Sequence, residues 1–152
     1  MIKVHLQKIL PGEILSLTGE ADAACLELEE AGFKPVGPFR YELEVGLSGG
    51  GLFATGSLFQ QVRTTCVACS EEFEYEVTTK EFAMQEEVAF NCEFVDLTSE
   101  VREDIHLLLP MHPRCNLGGN KCPAQFPQRV VPSPEISEAR PVWAALDNIT
   151  YL

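Results

Sequence analysis

Four of the six cysteines in this chain fall into two closely spaced pairs. Cys66 and Cys69 are separated by two residues in TTCVACSEEF, and Cys115 and Cys122 by six residues in PRCNLGGNKCP. A C-x2-C pair in a tight turn aims two sulfurs at one point, and a second pair from a glycine-containing loop can complete a tetrahedron of thiolates. This spacing favours one structural Zn²⁺ per chain, held by Cys66, Cys69, Cys115 and Cys122.

Closely spaced cysteines can also serve roles other than binding a structural zinc ion. Reduced thiols without a metal are the main alternative. A thioredoxin-like pair needs its C-x-x-C at the start of a helix, whereas this pair lies between two strand-like stretches. A catalytic zinc keeps an open coordination position; His112 could replace one thiolate, yet four cysteines already close the site. The sequence predicts Cys25 as a small buried apolar residue and Cys92 as a core residue or an ordinary free thiol.

No enzyme motif accompanies the cysteines. The glycine run SGGG at 48–51 lacks the Lys-Ser/Thr of a phosphate-binding loop, and neither G-x-S-x-G nor H-E-x-x-H occurs in the sequence. Many carboxylates stand at alternating positions, which is typical of a solvated sheet face. We therefore predict that the protein is not an enzyme, with no catalytic residue and no small-molecule substrate.

Alternating apolar residues predict the strands that position the cysteine pairs. FRYELEVGL places Phe39, Leu43 and Val45 on one side of a strand, and SGGG then supplies a turn into a return strand that ends near the first cysteine pair. Parallel strands would need long crossovers that are missing here, so we expect an antiparallel meander. The predicted strands cover the N-terminal MIKVHLQKIL and residues 39–47, 52–65, 73–79 and 82–90.

Helical patterns flank these strands. EADAACLELEEAG, residues 20–32, is rich in Ala, Leu and Glu and predicts a helix. Residues 96–109 predict one amphipathic helix with Asp96 as its N-cap and Pro110 as its stop. Residues 110–140 predict a Cys- and Pro-rich irregular segment, and Pro141 can begin a short terminal helix over 141–150. The sequence thus predicts a single α+β domain over 1–152, with the sheet and helices in 1–109.

The charge balance limits the classes of partner. Eleven Lys and Arg face 23 Asp and Glu, so the formal net charge is −12. An acidic surface repels phosphate backbones and attracts basic proteins. The chain lacks an apolar run long enough to span a membrane, and MIKVHLQKIL lacks the apolar run of a signal peptide. We expect a cytoplasmic protein without membrane contact, in a compartment where paired cysteines more often bind metal than form disulfides.

Three segments follow one another in the order known from one protein family. GSLFQQVRTTCVACSEEFEYEV is similar to a G-x-L-x-x-x-V segment followed by C-x-x-C and Phe. VDLTSEVREDIHLLLPMHPRC is similar to D-L-x-x-x-V-R-E-x-[IL]-x-L-x-L-P-x-x-P-x-C, the most specific of the three, and RPVWAAL is similar to a short closing helix. Together these segments resemble the YceD family, also called the large ribosomal RNA subunit accumulation protein.

The resemblance implies a role in bacterial or plastid large-subunit biogenesis, where family members are needed for 23S rRNA to accumulate, and it implies no catalytic activity. Family members commonly carry a basic residue between the first two cysteines, where this chain has Val67 and Ala68. This departure favours contact with a basic ribosomal protein or assembly factor of the large subunit, with any rRNA association indirect. The alternative is direct rRNA binding by a basic patch of Arg63, Arg102, Arg114, Lys121, Arg129 and Arg140.

Overall fold

The computed structural model describes residues 1–89 and 91–124, and these residues form antiparallel sheets with one α-helix. This arrangement confirms the α+β fold class. The strands are β1 (Lys3–His5), β2 (Ile14–Ala21), β3 (Lys34–Pro35), β4 (Phe39–Ser48), β5 (Gly51–Thr65), β6 (Glu72–Glu87) and β7 (Phe94–Asp96), and the helix is α1 (Thr98–Leu108).

The main sheet is built on a β4–β5–β6 meander in which every neighbouring pair is antiparallel. Strand β2 pairs with the free side of β4, and the short β3 pairs with β5 at Val62 and Arg63, beyond the end of β4. Strands β1 and β7 form a separate two-stranded sheet. The predicted meander is therefore confirmed, and the first cysteine pair lies at the connection between β5 and β6.

Alternation along the strands gives the main sheet two different faces. On β4, Phe39, Leu43 and Val45 are buried on the face that we call the inner face, whereas Glu42 and Glu44 are exposed on the opposite, outer face. The inner face belongs to a core that also contains residues of α1 and of the chain between β2 and β3. Burying this apolar face drives the sheet to form.

Strand β6 is one continuous strand, whereas the sequence predicted two separate strands over 73–79 and 82–90. Inward residues stand at odd positions up to Val77 and at even positions from Phe82, because a β-bulge shifts the register between Gly56 and Leu58 of β5. Ser57, the single β5 residue between Gly56 and Leu58, lies opposite both Lys80 and Glu81. The prediction of a separate strand over 82–90 was wrong, and β6 ends at Glu87.

The predicted helix over residues 20–32 was also wrong. Strand β2 runs to Ala21, and two short 3-10 turns follow at Ala23–Leu26 and Leu28–Ala31. Leu26 and Leu28 are both fully buried, although residues two apart point about 200° away from each other on an α-helix. Glu27 between them adopts a left-handed conformation, which turns both leucines into the same core.

Helix α1 lies within the predicted helix over 96–109, but its N-cap is Leu97, so the prediction of Asp96 as N-cap was wrong by one residue. Its Val101 and Ile105 are buried against the sheet. The Asp96 carboxylate accepts a hydrogen bond from the Thr98 backbone N–H (3.0 Å), and the Thr98 hydroxyl accepts one from the Ile2 N–H (2.9 Å). These bonds satisfy donors at the helix start and fasten the N-terminal strand to it.

Beyond α1, residues 110–124 are irregular apart from a 3-10 turn at Cys115–Gly118, as the proline content predicted. The predicted irregular residues 125–140 and the predicted helix over 141–150 lie outside the described residues. Within the part of the chain that the structure describes, no helix is both long and apolar enough to cross a membrane.

Candidate metal centre

The four predicted ligand cysteines converge on one point. The sulfurs of Cys66, Cys69, Cys115 and Cys122 all lie within 4.8 Å of one another, with 3.8 Å between Cys66 and Cys122 and 3.2 Å between Cys69 and Cys115. In a tetrahedral site with metal–sulfur bonds of about 2.3 Å, the sulfurs stand roughly 3.8 Å apart. These four cysteines could therefore hold one metal ion.

The first pair is positioned by the tight connection from β5 to β6. The Cys66 N–H donates to the Glu71 carbonyl (2.8 Å), and the Ser70 N–H donates to the Cys66 carbonyl (2.9 Å). Ser70 closes the turn with a positive φ of 62°. The turn thereby places the Cys66 and Cys69 sulfurs on the same side, as the hairpin setting of the pair predicted.

The second pair is carried by the loop after α1. Cys115 begins a 3-10 turn, and the Asn120 N–H donates to its carbonyl (3.3 Å), which folds the chain back toward Cys122. The Val67 N–H donates to the Pro113 carbonyl (2.9 Å) and so joins this loop directly to the first cysteine turn. Sequence reasoning missed this bond, because a backbone carbonyl leaves no signature in the residue types.

Gly118 allows the second loop to approach the sheet. A Cβ at this position would overlap the backbone carbonyl oxygen of Glu74 on β6 and would lie 3.3 Å from the Phe73 ring. The sequence suggested that Gly118 and Gly119 let the loop wrap around an ion. The structure adds a second requirement at Gly118, which is close contact with a strand that cannot yield.

We expect Gly118→Ala to displace the second cysteine loop from β6. Overpacking against a fixed backbone costs about 1–3 kcal/mol, and the displacement would carry Cys115 away from the other sulfurs. Chemical denaturation and the rate of metal transfer to a chelator measure the two effects. Asn120→Ala, at an exposed position of the same loop, is the matched control. Unchanged stability and transfer rate in Gly118→Ala would contradict the contact.

The thiols of the cluster differ in acidity. Burial raises the pKa of the Cys66 thiol, but the backbone N–H groups of Cys69, Ala68 and Cys115 stabilise its thiolate, and the net effect lowers its pKa to about 6. A hydrogen bond between the Cys115 and Cys69 sulfurs, together with burial, raises the pKa of Cys115. Burial likewise raises the pKa of Cys122.

Electrostatic repulsion would add to these effects if several of the thiols were ionised together. Backbone N–H groups stabilise one thiolate, whereas further thiolates in the same small volume would repel it and one another. A bound cation would remove that repulsion, because metal binding requires and favours the deprotonated sulfur. The arrangement therefore suits a soft divalent cation with four sulfur ligands.

The remaining candidate ligands lie outside this cluster. His112 is exposed, and the group that could hold a metal contains only the four cysteines among the described residues. Cys92 is exposed and its thiol donates to the Phe94 carbonyl (3.1 Å), whereas Cys25 is half-buried against the core. His106 on α1 also lies outside the cluster and donates through Nε2 to the Leu26 carbonyl (2.7 Å).

The predicted basic patch is divided between separate elements. Arg63 on β5 donates through Nε to the Glu74 carboxylate (2.9 Å), which raises the pKa of Arg63. Arg102 on α1 forms an ion pair with Glu27 (2.8 Å). Arg114 and Lys121 are exposed on the cysteine loop, and Arg129 and Arg140 lie outside the described residues.

Comparison of the chain with protein-family models, with curated proteins and with solved structures finds no significant match.

Proposed function

We propose that the ion held by Cys66, Cys69, Cys115 and Cys122 is a structural Zn²⁺, one per chain. Four thiolates in a tetrahedral arrangement are characteristic of structural zinc, and they leave no open position for a substrate or a reactive water. Bound there, the ion would stabilise the contact between the β5–β6 turn and the loop after α1. The convergence of the four sulfurs is the observation that supports this proposal.

We further propose that the protein is a non-enzymatic ribosome biogenesis factor that supports 23S rRNA accumulation and large-subunit assembly in the cytoplasm. The resemblance to the YceD family carries this proposal. Two of the segments that carry the resemblance contain Cys66, Cys69 and Cys115, three of the four clustered cysteines, and their sulfurs lie together in the folded chain. The segments are therefore consistent with one folded unit.

The acidic surface favours a protein as the direct partner. A net charge of −12 attracts a basic ribosomal protein or assembly factor of the large subunit and repels rRNA. Such a protein would act like a chaperone, holding its basic partner until the rRNA site is ready, so that unassembled precursor is not degraded.

Direct rRNA binding is the second candidate function. Arg114 and Lys121, both exposed on the cysteine loop, are the observation in its favour. Against it, Arg63 and Arg102 each form an ion pair with a glutamate, and the negative charge of that glutamate opposes the binding of a phosphate.

Purification from cell lysate with and without nuclease separates the two candidates. We expect the main basic partner to stay attached after nuclease treatment, and protein-free 23S fragments to bind with Kd no tighter than roughly 10 μM at physiological salt. Submicromolar binding to those fragments, lost when Arg114 and Lys121 are both changed to Glu, would establish direct RNA recognition instead.

A further inference from the structure

The outer face of the main sheet is open in the described part of the chain. Six residues that point outward from this face are exposed, three on β2 and three on the neighbouring strand β4. They form the cross-strand pairs Ser16 with Glu44, Thr18 with Glu42 and Glu20 with Arg40.

This open face is not flat. Two adjoining depressions of about 470 and 380 Å³ lie on it, and both are lined by Thr18 and Glu42. The smaller depression reaches Gly56 and Ser57 on β5, where small residues leave room above the sheet. The larger one reaches the Phe59 ring. Together they make a trough across the four strands β2, β4, β5 and β6, which we call the outer trough.

A guanidinium group of the chain itself already occupies one end of the outer trough. Arg40 stands 5.7 Å from the centre of the Phe59 ring and 3.2 Å from the Glu76 carboxylate. An aromatic ring and a carboxylate are the two partners that a guanidinium prefers, since it can stack on one and pair with the other. The face therefore displays the chemistry of arginine binding.

The other carboxylates of the outer trough are available. Within residues 1–89 and 91–124, the structure records no ion pair for Glu20, Glu42 or Glu44, and all three are exposed. They stand on adjacent strands, with Glu42 on the wall that the two depressions share. A basic chain crossing the trough would meet several carboxylates in succession, whereas a phosphate backbone would be repelled.

We propose that the outer trough binds an extended, arginine-rich segment of the basic protein partner. The proposal rests on the proposed function and names the surface and the chemistry of that contact. Arginine fits better than lysine because its planar guanidinium can pair with the Glu42 or Glu44 carboxylate through two parallel hydrogen bonds, whereas an ammonium cannot. The metal centre would hold the loop after α1 in place and would take no part in binding the segment.

Fluorescence anisotropy on the full chain tests this surface. The probe is a labelled twelve-residue peptide of alternating Arg and Ser, and a second peptide with Lys in place of Arg carries the same charge. We expect the Arg peptide to bind about ten-fold more tightly than the Lys peptide. The double variant Glu42→Lys/Glu44→Lys should weaken binding of the Arg peptide by at least about ten-fold.

The control double variant is Glu93→Lys/Glu103→Lys. It makes the same change in net charge at exposed positions outside the strands of the main sheet, and it should alter binding by less than about three-fold. Far-UV circular dichroism checks the fold, and Glu42→Gln/Glu44→Gln replaces the lysine variant if that variant is misfolded. Equal weakening by the test and control pairs, equal affinity for the two peptides, or no binding of the Arg peptide would each overturn the proposal.

The outcomes also separate this proposal from the proposed function. If a nuclease-resistant basic partner is retained equally by wild type and by Glu42→Lys/Glu44→Lys, the proposed function stands and the outer trough is the wrong surface. If the Arg peptide binds as expected but no large-subunit protein is retained, the surface chemistry stands and the proposed function is wrong.

Discussion

Replacing Cys115 with serine is expected to release the metal and to free the loop after α1 from the sheet. Cys115 is buried, and its sulfur lies 3.2 Å from that of Cys69, so the substitution would leave three thiolate ligands and a hydroxyl in place of the fourth. Loss of a structural metal is among the few changes that cost more than about 4 kcal/mol. Hydrogen exchange should show lost protection in residues 110–124 before the strands of the meander are affected.

Cys92→Ser is the matched control for this prediction, because Cys92 is exposed and lies outside the cluster. It should leave metal content and exchange rates unchanged. If Cys115→Ser instead removes protection from β4 and β5 as much as from the loop, the metal stabilises the whole fold. The loop would then not be a separately fastened part.

Gly56→Ala is expected to have the second largest effect on the stability of the fold, at a position outside the cysteine cluster. Gly56 has a φ of 155°, and a Cβ there would overlap the Glu42 carbonyl oxygen and approach the Leu43 Cα to 2.9 Å. Both are backbone atoms of a central strand, so relief requires strand displacement. We expect a destabilisation of about 3 kcal/mol in denaturant unfolding.

Ser57→Ala is the control at the next position, since it adds no atom and leaves the bulge intact. It should stay within about 0.5 kcal/mol of wild type. A Gly56→Ala protein with the same unfolding midpoint as Ser57→Ala would mean that β4 can move away at low cost. It would also contradict the tight packing of β4 against β5 at the bulge.

The meander and the cysteine cluster could be predicted because their signals are local. Alternation from Phe39 to Val45 directly reflects which side chains face the core. The spacing of Cys66 and Cys69 matches a known turn geometry, and the proline content of the chain after Leu109 predicts its irregular path. In each case the residue types alone carry the constraint.

Other features depend on tertiary contacts that no local pattern contains. Residues 20–32 have helical composition, yet Glu20 and Ala21 pair with β4, and this pairing prevails over helix propensity. Between Val77 and Phe82 the inward-facing positions change from odd to even residue numbers. Such a change is as typical of the end of a strand as of a bulge, and only the pairing with β5 shows that it is a bulge. The role of Gly118 likewise depends on Glu74, which lies more than forty residues away in sequence.

Metal analysis of the purified full chain under reducing conditions tests the central claim most directly. We expect one zinc per chain, with Cys66, Cys69, Cys115 and Cys122 protected from alkylation until a chelator removes the ion. Less than about 0.2 zinc per chain, or a disulfide between the two pairs, would contradict it.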